Sequence, residues 1–198
     1  LGYARPDPEV RRIAEAVALR FEKLGCHVEQ VEKVLDDPID LYISEFYASI
    51  GVYFRDQFRR QRHLMDPGLV EIVDYALEKN QSFASYFASA RKRYTLREQV
   101  RELFQRCDLL LTPTVPMTAF SLDKPILLDR NWVYYTYPFN LTGNPAASVP
   151  CGIASDGMPV GLQLVARPNR ETDLFKAASM LETIQPWAHL YRDFPGIA

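Results

Sequence analysis

The 198 residues are 47% apolar and 24% charged and carry a formal net charge of −2, the make-up of one ordinary globular domain. Disordered and fibrous classes are excluded, and near-neutral charge offers no overall attraction to nucleic acid or an anionic membrane. No apolar run approaches the roughly 18–20 residues that a membrane-spanning helix needs.

The opening LGYARPDPEV has no apolar run behind its charged residues, so no signal peptide is expected, and it starts without Met. A helix is predicted from Asp7 as cap and Pro8 at the first position. Its apolar stripe is Val10, Ile13, Ala14, Val17, Phe21 and Leu24, and Gly25 closes it. A short strand over Cys26–Val31 is expected next, giving a helix-then-strand unit of the kind that flanks a larger sheet. Residues 38–106 read as an amphipathic helical region. Helices begin after Pro38, after Pro67 and near Ser82, and Asp36-Asp37 reads as a loop with a helix cap. In the third helix Phe83, Phe87, Ala90, Tyr94, Leu96, Val100, Leu103 and Phe104 recur at helical spacing. The basic residues on its other side (Arg91, Lys92, Arg93, Arg97, Arg101 and Arg106) read as a solvated face.

From Asp108 the period changes. DLLLT is a buried-strand signal, and Ala147–Pro150 and Val160–Val165 are two further strands joined by a turn at Ser155-Asp156-Gly157. Residues 171–184 form a closing helix, capped at Asn169 or Arg170, with Leu174, Ala177, Ala178 and Leu181 as its stripe.

Side chains for chemistry are scattered. Cys26, Cys107 and Cys151 form no CxxC pair and lie among apolar neighbours, as buried free thiols do, which points to a reducing, cytoplasmic location. The sequons at Asn80 and Asn140 then carry no meaning. His27, His63 and His189 are far apart, and GxSxG, GxxxxGK[ST], HExxH and Gly-Gly are all absent. A self-contained active site is not expected, and neither is a metal or cofactor. What can be read is a pocket wall: Trp132, Tyr134, Tyr135, Tyr137 and Phe139, with Thr136 and Asn140 among them. Most of these rings are expected to fill the core, with Trp132 and Tyr137 the two that face a ligand.

Three stretches then stand in order: CDLLLTPTVP at 107–116, YPFNLTGNPAASVPCG at 137–152 and GMPVGLQLV at 157–165. Together they resemble the amidase signature family, and the likeness extends over nearly the whole chain. It implies an α/β fold whose glycine- and proline-bounded segments are strands of a mixed β-sheet flanked by helices. Residues 1–198 would form the C-terminal portion of such a domain, packed on an N-terminal half that this sequence does not contain. Members cleave or transfer amides with a Ser nucleophile, a second Ser in a cis peptide and a Lys, all upstream of these motifs. No Ser-Ser pair occurs here, so no catalytic residue carries over, and the chain alone is expected to be inactive.

The resemblance places Trp132, Val133, Thr136, Tyr137 and Asn140 at the substrate, in the block that borders the acyl pocket in fatty acid amide hydrolases. In the A subunits of tRNA-dependent amidotransferases an Asp stands where this chain has Val133, which points here to a less polar amide than glutamine. Three readings follow. The first is an amidase whose partners are a small amide and its own N-terminal half, with no membrane or nucleic acid. The second is an amidotransferase A subunit that meets tRNA. The third is a scaffold without a site. Apolar surface normally covered by the other half would make isolated copies oligomerise or aggregate.

Overall fold

The computed structural model describes residues 1–78, 82–121 and 130–188. The sequon at Asn80 and the third histidine, His189, lie outside them.

Helix α1 (Pro8–Ala18) starts as its sequence dictates. The Asp7 carboxylate accepts from the Glu9 amide at 2.8 Å, and Pro8 occupies a position where no amide is needed. Val10, Ala14 and Val17 are buried, and the chain then tightens into a 3-10 turn at Leu19–Leu24 that ends at Gly25, φ 83°. That left-handed conformation favours glycine. The strand expected at Cys26–Val31 is not formed. A strand exists only with a ladder partner, and this segment pairs with none among the described residues. Cys26 is accordingly exposed rather than buried, Cys107 is half-buried, and Cys151 alone is buried.

The helical region is α2 (Ile39–Tyr53), α3 (Arg55–Gln61), α4 (Pro67–Glu78) and α5 (Phe83–Leu103). Ahead of the α2 cap residue Pro38, Asp37 Oδ1 accepts from the Ile39 amide at 3.0 Å, and Ser82 caps α5 by accepting from the Ser85 amide at 3.1 Å. Only the second half of the α5 stripe is covered. Leu96 and Val100 are buried, with Phe104 just beyond, whereas Phe83, Phe87 and Tyr94 stand 78%, 54% and 66% exposed. The basic side is solvated but not idle. Arg101 pairs with Glu98 in solvent at 2.9 Å, while the half-buried Arg93 and the exposed Arg97 also reach backbone carbonyls of a neighbouring helix. Unsatisfied carbonyls at a helix end attract such cations, which spacing along α5 alone does not reveal.

The sheet has three strands in the order β1-β3-β2, with β1 at Leu109–Pro113, β2 at Ala146–Ile153 and β3 at Pro159–Ala166. The α/β architecture is the one expected; the strands described here are all antiparallel. Leu111 and Ala147 both stand opposite Leu164, which fixes the register across the sheet. Leu162, Leu164, Val149, Cys151 and Leu111 meet α1 and α7 (Glu171–Ile184) on one face, and Val165 and Leu110 meet Leu96, Val100 and Phe139 on the other. The β2–β3 turn closes through Gly157 at φ 83° and a Met158 amide bonded to the Asp156 carboxylate at 3.0 Å. Before α7, Asn169 takes a left-handed turn at φ 62° and Arg170 is the cap residue, its guanidinium donating to the Asp173 carboxylate of the first turn at 2.7 and 3.0 Å.

Two glycines of the apolar segments answer to close approach. A Cβ on Gly152 would lie 2.7 Å from Cγ2 of Ile13, so α1 can sit against β2 only over a bare backbone. A Cβ on Gly161 would meet Ser148 Oγ at 2.7 Å and Thr114 Oγ1 at 2.8 Å, the two hydroxyls that bond across β3 at 2.7 Å. Among the described residues no helix is long and apolar enough to cross a membrane.

Candidate substrate-pocket wall

A 3-10 turn at Arg130–Val133 leads into α6 (Tyr137–Thr142), with Pro138 in its first turn and Gly143 at φ 75° behind it. Six residues make less than two helical turns, too few to hold their own shape in water. The contacts around the segment therefore set its geometry.

Tyr137 is 1% exposed and points inward. Its ring stacks on Tyr42 at 5.0 Å and on Tyr3 at 6.4 Å, and Tyr134 meets it edge-on at 6.2 Å. Its hydroxyl donates to Asp37 Oδ1. Burial, and then the bond to Asp37, pushes the phenol well above the ordinary tyrosine range. Tyr3 donates to the Tyr134 carbonyl at 2.8 Å. Tyr135 is buried as well, its phenol pushed up to about 12 by desolvation, and its carbonyl accepts from Gln163 Nε2 at 2.8 Å. The same Gln163 nitrogen also bonds Thr112 Oγ1 at 3.0 Å, so this buried amide is satisfied on the sheet and ties it to the segment. Phe139 lies in the core, as expected of most of these rings.

The other four residues expected at a substrate differ in exposure. Trp132 is 39% exposed and Asn140 is exposed; Val133 and Thr136 are half-buried. Thr136 donates its hydroxyl to the Val133 carbonyl at 3.1 Å, and Asn140 Nδ2 donates to the Thr136 carbonyl at 3.1 Å. Both side chains keep an oxygen able to accept from a ligand. Of the two rings expected at a ligand, Trp132 is at the surface, and Tyr137 supports the segment from within. Trp132 and Asn140 thus lie at the surface, while Val133 packs in part on the cluster that holds Tyr137 and Val165.

Neither of the covered thiols, Cys107 and Cys151, is activated as a nucleophile. Burial pushes the Cys151 thiol up to about 12 and raises Cys107 as well, the opposite of an activated thiolate. The Thr114 and Ser148 hydroxyls bond to each other. No group of three or more His, Cys, Asp or Glu side chains among the described residues is placed to hold a metal. Sequence reasoning missed the residues that fasten the segment: Asp37, Arg93, Arg97 and Gln163. For Arg93 and Arg97 the signal was a pair of arginines at i and i+4 on a helix with few acids beside them.

The Amidase family model matches residues 1–175, a span that holds all three motifs and the wall. The chain belongs to the amidase family. Among its amidase relatives, the acylamidase of Rhodococcus erythropolis is 28% identical over 200 residues, 95% of this chain and 41% of that protein. The glutamyl-tRNA(Gln) amidotransferase A subunit of Prochlorococcus marinus (strain AS9601) is 31% identical over 203 residues, 89% of this chain and 42% of that protein. The solved structure of 6-aminohexanoate cyclic dimer hydrolase matches this chain with a TM-score of 0.74 at 25% identity, covering 92% of it and 42% of the hydrolase. The chain thus spans only 41–42% of the length of these relatives.

Proposed function

We propose that this chain is the C-terminal portion of an amidase-family hydrolase and supplies scaffold and one wall of the acyl pocket. The reaction adds water across a carboxylic amide: hydroxyl goes to the acyl carbon, the C–N bond breaks, and ammonia or an amine leaves with the proton. Trp132, Val133, Thr136 and Asn140 form the surface against the acyl group, and Tyr137 carries them from below. Nucleophile, base and oxyanion donors belong to the N-terminal half. The observation that carries this reading is the family match over residues 1–175, together with an exposed Trp132 and Asn140 on a segment fastened on its inner side. Large apolar side chains left exposed on α2 and α5, Tyr53 at 76% and Phe83 at 78%, support it by offering surface for further protein.

A second reading, the A subunit of an amidotransferase, is favoured by the Prochlorococcus marinus relative. Val133 weighs against it, because an isopropyl group offers nothing to the amine of glutamine. The test is hydrolysis of a panel of aliphatic and aryl amides by the complete enzyme and by the purified 198-residue chain. Turnover is expected from the complete enzyme only. Turnover by the chain alone would overturn the division of labour, and an inactive complete enzyme would overturn the reading as a hydrolase.

A further inference from the structure

We propose that Asp37 and Arg93 are positioning residues for amide binding, holding residues 133–142 at the height the acyl group requires without touching the substrate. The proposal rests on the reading of that segment as a pocket wall. Two separate anchors meet the segment. At its front, Tyr137 donates to Asp37 Oδ1, the same oxygen that accepts the Ile39 amide at 3.0 Å, so the start of α2 sets the direction of the carboxylate. At its back, Arg93 Nε donates to the Leu141 carbonyl at 2.7 Å, while its other arm reaches Glu45 Oε2 on α2 at 3.0 Å. Arg97 adds a bond to the Thr142 carbonyl at 3.1 Å.

Both anchors therefore refer the segment to α2. A guanidinium is suited to the rear task, because its planar fork serves a carbonyl and a carboxylate at once in a fixed geometry. The last carbonyls of a six-residue helix have no partner within it, and Leu141 and Thr142 are buried, so the arginines supply the missing donors. Thr136 stands just before the front anchor and Asn140 just before the rear one, one helical turn apart and bonded to each other through the Thr136 carbonyl. A change at either anchor moves the whole face that meets the acyl group.

The experiment measures KM and kcat of the complete enzyme for an aryl amide in Tyr137→Phe, Asp37→Ala, Asp37→Asn and Arg93→Ala, with Trp132→Ala as the control for the wall. Hydrogen exchange is followed over residues 133–142 and 160–166. Tyr137→Phe, Asp37→Ala and Arg93→Ala are expected to raise KM about tenfold, the scale of one charge-assisted hydrogen bond. Their kcat should stay within about threefold, as for a loss of binding rather than of chemistry. Exchange should quicken in 133–142 and stay level in 160–166. Asp37→Asn should behave as wild type, since its amide oxygen accepts both bonds. Tyr137→Phe keeps the ring stack and removes one hydroxyl, so the test stands even if Arg93→Ala fails to fold. An unchanged KM in Tyr137→Phe and Arg93→Ala, with Trp132→Ala raising it, would overturn the positioning role and leave the wall intact. An Asn at 37 that acts like Ala would overturn the role of Asp37. If Trp132→Ala also leaves KM level, the wall reading fails and the positioning role with it.

Discussion

Cys151 stands on the β2 face that meets α1 and α7, with 2% of its surface exposed. Burial pushes its thiol up to about 12 because the interior disfavours a thiolate. Below the ordinary thiol pKa of about 8.5, folded and unfolded chains both hold the proton, and the residue leaves stability independent of pH. Between that value and about 12 the unfolded chain releases the proton while the folded one keeps it. Stability therefore falls as pH rises through this window, by up to about 1.4 kcal/mol per pH unit. Denaturation midpoints of wild type and Cys151→Ala, measured from neutral pH upward, should diverge in slope above the ordinary thiol pKa, with the Ala variant flatter. Parallel curves would contradict the buried neutral thiol. Cys26, exposed at the end of α1's 3-10 turn, marks the limit of reading cysteines from their neighbours. An apolar neighbourhood in sequence buries a thiol only if a second element comes to cover it.

Elements show the same division between local and distant causes. The start of α1 was legible because its cap is local: Asp7, Pro8 and the Glu9 amide lie within three residues. The β2–β3 turn was legible for the same reason, since Asp156, Gly157 and Met158 define it among themselves. The strand at Cys26–Val31 was not, because a ladder needs a partner that periodicity cannot supply. The front half of α5 has the spacing of a buried stripe, yet Phe83, Phe87 and Tyr94 remain exposed, since spacing sets a face and not its cover. At Gly152, distant packing does become testable. Gly152→Ala would set its Cβ 2.7 Å from Cγ2 of Ile13, a branch on a stiff side chain that cannot swing away. The expected cost is about 1–3 kcal/mol, with part recovered in the Gly152→Ala, Ile13→Ala double variant. Thermal unfolding of the four proteins measures it, and additive losses would show that α1 does not rest on β2 at this point.

For the whole molecule, the sequence motifs carried the family and the α/β class, and both stand. The proposed wall rests on a composition of aromatic and polar residues, which carries no geometry. Tyr137 turns inward because of Asp37, a hundred residues away in the chain, and no local pattern announces such a bond. In the proposed pocket, Trp132, Val133 and Thr136 would decide which acyl groups fit. A carboxylate introduced at Val133 would be desolvated against an apolar acyl group at a cost of several kcal/mol, and relieved when it meets an amine. Removing the Trp132 ring empties part of the surface for bulky groups. Thr136→Ala loses one hydroxyl contact of about 0.5–1.5 kcal/mol.

The most direct measurement is the ratio of kcat/KM for an aryl amide to that for glutamine, in the complete enzyme and in each of these three variants. The ratio is predicted to fall about tenfold or more in Val133→Asp and Trp132→Ala, and by a few-fold at most in Thr136→Ala. A ratio that stays level in all three would mean that residues 132–136 do not face the substrate, and the pocket wall would lie elsewhere in the protein.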